Sequence, residues 1–101
     1  MIYKLLVPGP IEDVEELRVL EWHGAAGEAF AANALIVELE THKAVVEVRA
    51  ARPGVLRRIL CEAGNWEKIG KPLALFSDTA DEPFAGDADA LAPLAVEFEV
   101  N

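Results

Sequence analysis

Ala34-Leu35-Ile36-Val37-Glu38-Leu39-Glu40-Thr41-His42-Lys43-Ala44-Val45-Val46-Glu47-Val48 reads as two half-buried strands joined at a tight break. Leu, Ile and Val fill both arms and are interrupted by Glu38, Glu40 and Glu47, the pattern of strands in a small sheet protein. The four residues Thr41 to Ala44 break that pattern and mark a hairpin tip. Lys43 stands alone at that tip. An amine on a long flexible stem, held out by a strand-turn-strand support, can be reached by a modifying enzyme and can carry an attached group between partners.

Outward from the hairpin the chain repeats itself. Gly27 matches Gly64 and Asn33 matches Gly70 at a constant offset of 37 residues, which implies a repeated supersecondary unit. Each half reads as a strand, a Gly turn, a short polar stretch, a second turn residue and a second strand. The pairs are Val19 to Trp22 with Leu35 to Leu39, and Leu56 to Cys61 with Leu73 to Phe76. Asn33 and Gly70 share a position because both tolerate positive φ. Glu12 to Leu20 carries the only weak helical rhythm, and it reads as a loop entering a strand.

The hairpin and its surroundings resemble the lipoyl domains of the acyltransferase components of 2-oxo acid dehydrogenase complexes. In those domains the modified lysine lies in a Glu-Thr-Asp-Lys-Ala turn, and here the turn reads Glu40-Thr41-His42-Lys43-Ala44. The resemblance runs from Val7-Pro8 through Val14-Glu15-Glu16, Leu20-Glu21-Trp22, Gly27-Glu28 and Ala44-Val45-Val46-Glu47-Val48 to Pro53-Gly54, Ala63-Gly64 and Gly70-Lys71-Pro72-Leu73. It implies an all-β fold: a flattened barrel of two small antiparallel sheets with an internal two-fold repeat, the lysine hairpin at one end and the termini at the other. It also implies lipoate covalently attached to Lys43, with Glu40, Thr41, His42 and Ala44 shaping the turn and contributing to recognition.

The partners that the resemblance implies are a lipoate-attaching enzyme, a thiamine-dependent dehydrogenase component, an acyltransferase and a dihydrolipoyl dehydrogenase. Between them the arm would shuttle acyl groups and reducing equivalents, so the reactive atoms belong to the cofactor and the chain is a carrier rather than an enzyme. His42 departs from the family's usual Asp. Ile11, Asp13 and Leu17 stand in the first loop where family members often have Gly. These departures bear on which dehydrogenase is recognised, because the lysine and its frame are intact.

Two rival readings stay open. A biotin carrier uses the same fold and the same tip, although those domains usually flank the lysine with Met, where His42 and Ala44 stand here. An unmodified interaction module would make Lys43 incidental. His42 can also be read as a catalytic base, or as a metal ligand with His23 as the second, but His23 follows Trp22 in a strand-to-turn region, no Asp/His/Cys cluster completes a site, and no metal is expected.

Length and charge bound the rest. The 101 residues, 52% of them hydrophobic, suffice for one modest core. No run of 18 apolar residues occurs and the start reads as a strand, so neither a membrane span nor a signal peptide is expected, and a cytoplasmic setting is the default. Cys61, the only cysteine, cannot form an internal disulfide and is expected to pack in a strand. Residues 1 to 76 carry 11 acids and 9 bases, whereas residues 77 to 101 carry 7 acids and no base. Nucleic acid would be repelled.

The expected organisation is a carrier domain over residues 1–77, an acidic linker over 78–93 and an additional strand over 94–101. In that last segment Leu94, Val96, Phe98 and Val100 alternate with Ala95, Glu97 and Glu99. The strand is expected to fold back on its own sheet edge or to pair with a neighbouring molecule. Met1 directly before the first strand and the strand-like C-terminus favour a free-standing carrier over an excised domain.

Overall fold

The computed structural model describes residues 1–83 and 91–101, and the described residues form strands and turns with no helix. In chain order the strands are β1 (Ile2–Leu6), β2 (Glu16–Trp22), β3 (Ala29–Phe30), β4 (Leu35–Glu40) and β5 (Val45–Ala50). They continue with β6 (Gly54–Ile59), β7 (Trp66–Lys68), β8 (Pro72–Ser77), β9 (Ala92–Pro93) and β10 (Val96–Val100). Two five-stranded sheets result, in the orders β3-β6-β8-β1-β9 and β7-β2-β4-β5-β10. Every pairing is antiparallel except the short parallel one between β1 and β9.

Written in that direction, the first four strands of the two sheets are copies of each other, and the hydrogen bonds repeat with the sequence offset. Gly27 donates to the Leu56 carbonyl at 2.7 Å, and Gly64 donates to the Val19 carbonyl at 2.7 Å. Leu56 donates back to Glu28, and Val19 to Asn65, both at 2.9 Å. The turn residues Asn33 and Gly70 take φ of 70° and 89°, a left-handed conformation that excludes most side chains. That shared steric demand is what makes the repeat visible in the sequence.

The core is the space between the sheets. In β5 the alternation is clean, with Val46, Val48 and Ala50 buried and Glu47 and Arg49 turned out, as a strand with one wet face requires. Leu5, Val19, Ile36, Leu39, Leu56 and Leu73 are fully buried against it, and Phe30 packs on Phe76 with ring centroids 5.9 Å apart. Cys61 joins this core, but it lies in a bend beyond β6 and not in the strand expected from its neighbours. Chain direction reverses there, and the Cys61 carbonyl accepts a hydrogen bond from Trp22 Nε1 at 3.0 Å. Burial, followed by the Glu67 and Glu62 charges, pushes the thiol above its ordinary pKa. The segment Glu12 to Leu20 holds a turn and then β2, with no helix.

The tail takes part in both sheets. Ala92–Pro93, within the stretch expected to be linker, form β9 beside β1, while residues 84–90 of that stretch lie outside the described residues. Leu94 donates to the Lys4 carbonyl at 2.8 Å and buries its side chain in the core. β10 then pairs with β5 of its own chain, in the register Val96↔Ala50 to Val100↔Val46. The tail thus straps the open seam between β1 and β5, adding one strand to each sheet.

Candidate functional site

The β4–β5 hairpin closes as tightly as a hairpin can. Glu40 faces Val45 in the ladder, and Thr41 donates its amide to the Ala44 carbonyl at 2.9 Å. Only His42 and Lys43 lie beyond that last pair. Two-residue loops favour turns with positive φ and glycine, yet neither residue here has positive φ. Thr41 supplies the missing closure, since its Oγ1 accepts from the backbone N–H of Lys43 and of Ala44, both at 3.0 Å. The side chain that does this is itself buried, at 8% exposure. A hydroxyl that satisfies two amides fixes the backbone under the lysine without constraining its side chain.

Lys43 itself is exposed. Among the described residues no carboxylate lies within ion-pair distance of its amine. Glu40, three residues back, is turned to Arg18, whose Nη1 donates to Oε1 at 2.9 Å and whose Nε donates to the Gly64 carbonyl at 3.3 Å. The acid ties β4 to β2, and the amine is left to solvent. Such an amine can act as a nucleophile towards an activated acyl group once it loses a proton, and no metal or catalytic base is needed on this chain for that.

Beside the tip lies a groove lined by Asp13, Val14, Glu15, Glu16, His42 and Trp66. The first loop forms one wall through a turn in which Val14 donates to the Ile11 carbonyl at 3.1 Å. Asp13 takes φ of 61° there, so it occupies a conformation that glycine favours. Leu17, by contrast, is fully buried and Ile11 packs against the core. His42 therefore faces an acidic wall. Trp66, half exposed on the edge strand β7, is a groove residue that the sequence reading did not single out. Its cue was a tryptophan at the repeat position of the exposed Ala29, where no core packing asks for an aromatic ring.

The two histidines do not come together as ligands. His23 Nε2 lies 2.7 Å from Glu38 Oε1 and its Nδ1 lies 3.9 Å from Glu21 Oε2. Glu21, His23 and Glu38 are the one group of three such side chains within metal-holding distance among the described residues. Both ring nitrogens already face carboxylates on the exposed sheet surface.

Comparison with known proteins agrees with this geometry. The Biotin_lipoyl family, described as "Biotin-requiring enzyme", matches residues 4–76. The chain is 31% identical over 77 residues to the pyruvate dehydrogenase complex protein X component, mitochondrial, of Saccharomyces cerevisiae, covering 75% of this chain and 19% of that protein. It is 38% identical over 82 residues to the dihydrolipoyllysine-residue succinyltransferase component of the 2-oxoglutarate dehydrogenase complex of Haemophilus influenzae, covering 81% of this chain and 20% of that protein. The Escherichia coli protein of the same description is 38% identical over 61 residues, 60% of this chain and 15% of its own length. The chain thus spans about one-fifth or less of the relatives it matches.

Proposed function

This chain belongs to the biotin/lipoyl attachment family of non-catalytic carrier domains, and we propose that it carries lipoate in amide linkage on Lys43. The observation that carries this reading is an exposed amine, without an ion-pair partner among the described residues, at the apex of a two-residue turn braced by Thr41. Relatives described as dihydrolipoyllysine-residue succinyltransferase components support lipoate as the group carried. His42 and Ala44, in place of flanking methionines, point the same way.

The residues fit such a group. Lys43 Nζ, deprotonated, attacks the activated carboxyl carbon presented by an attaching enzyme; the leaving group departs with its bonding electrons, the nitrogen gives up one proton to solvent, and a neutral amide remains. Thr41 keeps the Lys43 and Ala44 amides satisfied, so the turn need not reorganise when the stem lengthens. Glu40, held by Arg18, keeps its charge away from the amine. Bound lipoate would supply a cyclic disulfide able to take up an acyl group with two electrons and to be re-oxidised afterwards. The fold supplies a rigid post for a flexible arm. The partners in this reading are a thiamine-dependent dehydrogenase component, an acyltransferase and a dihydrolipoyl dehydrogenase.

The family's description favours one second reading, a biotin carrier with the same lysine. Intact mass decides. Protein made in cells that contain lipoate and biotin attachment systems gains one lipoyl amide, and Lys43→Arg gains nothing. A biotinyl increment selects the second reading, and no increment in either protein leaves an unmodified interaction module.

A further inference from the structure

The register of the last strand determines where its backbone points. Asn101 donates to the Val45 carbonyl at 2.9 Å, and Ala51 donates to the Ala95 carbonyl at 3.3 Å. In an antiparallel ladder hydrogen-bonded pairs alternate with non-bonded ones. Between those two bonds the pairs that exchange hydrogen bonds are therefore Glu99 with Glu47 and Glu97 with Arg49. The N–H and C=O groups of Val96, Phe98 and Val100 point the other way, to an edge that no strand covers among the described residues.

Side chains on this edge are sorted by face. Val96, Phe98 and Val100 lie opposite the inward Ala50, Val48 and Val46, yet Phe98 and Val100 are 39% and 46% exposed because the strand overhangs the core. Phe98 and Val96 line an apolar groove of about 270 Å³ whose other wall includes Leu6, Pro8 and Ile69. On the outer face Glu97 lies opposite Arg49, whose Nη2 stands 3.7 Å from Glu47 Oε1, and Glu99 lies opposite Glu47, so three carboxylates share one guanidinium. A cation on the next strand position would relieve that imbalance.

We propose that the outer edge of β10 is a strand-addition site for an extended segment of another protein in which apolar residues alternate with lysine or arginine. The apolar residues would extend the row of Val96, Phe98 and Val100 over the groove, and the basic ones would stand beside Glu97 and Glu99. Main-chain hydrogen bonds to Val96, Phe98 and Val100 supply the affinity of such strand addition, and the alternate side chains supply selectivity. A second copy of β10 is a poor occupant: the antiparallel registers that set Phe98 against Val96, Phe98 or Val100 of the other copy put glutamate against glutamate, which is destabilising. The edge uses none of the residues of the lysine turn, although its Val100 end lies opposite Val46, three residues from Lys43.

Residue-resolved amide exchange on the whole chain tests this, with acetyl-Lys-Val-Lys-Phe-Lys-Val-Lys-amide as probe and its all-Glu counterpart as control. In the free protein the amides of Val96, Phe98 and Val100 exchange fast and those of Glu97 and Glu99 slowly. The basic peptide slows the first three by at least about tenfold, and the acidic peptide does not. In an E97K/E99K variant, whose fold is checked by protection at Val46 and Val48, the preference reverses. Fast exchange at the three amides with millimolar basic peptide, equal effects of both peptides, or slowing produced by protein concentration alone would each overturn the proposal.

Discussion

Thr41 shows how much of the tip depends on one oxygen. Its hydroxyl holds the amides of Lys43 and Ala44, and no glycine is present to relax the loop instead. Thr41→Ala should cost about 1 kcal/mol, the scale of a lost hydroxyl cap. Urea unfolding would show this as a lower midpoint with unchanged slope, and Thr41→Ser should restore most of it. That Lys43 stands at a hairpin tip was legible in the sequence, because a polar break between two apolar strands is a local signal. The brace on Glu40 was not, since Arg18 comes from β2 and reaches it only in the folded sheet. Asp13 was visible as a departure from glycine, but its left-handed backbone became clear only with the turn in place.

At the scale of elements, positive-φ turns and period-2 strands wrote themselves into the chain, so the four long repeat strands β2, β4, β6 and β8 were readable. β9 was not. Two residues, Ala92 and Pro93, carry no periodicity, and only pairing with β1 makes them a strand. β10 announced itself through alternation, but alternation cannot say which edge it will meet. Leu94 decides the matter by anchoring the strap in the core at 8% exposure. Leu94→Ala should destabilise the protein by about 2–3 kcal/mol, the usual cost of emptying a buried leucine site. Amides of β10 should lose protection before those of β4, which exchange data on the variant would show.

For the molecule as a whole, the Lys43 side chain is exposed and has no ion-pair partner among the described residues. Loading Lys43 should therefore leave thermal unfolding unchanged: modified and unmodified protein should melt within about 1 °C of each other, because a solvated side chain away from the core contributes little to stability. A large shift in calorimetry would mean that the arm packs against the domain. Two sheets around one core were legible from the repeat and the apolar content. The strapping of both sheets by the tail was not, because it depends on contacts between residues far apart in sequence.

The two-fold relation also pairs the lysine turn with the opposite pole. There Ser77 faces Ile2 as Glu40 faces Val45, and Asp78 donates to the Met1 carbonyl at 3.2 Å just as Thr41 donates to that of Ala44 at 2.9 Å. That pole is an unclosed copy of the turn. Topologically the barrel is a ring of eight strands that the chain happens to cut at one of two equivalent gates. A two-residue bridge from Asp78 to Met1 would close that gate, and opening the other between His42 and Lys43 would leave each of those eight strands beside its present neighbours. The lysine turn is thus a passenger on the architecture, one of two gates whose opening or closing leaves the eight strands in place.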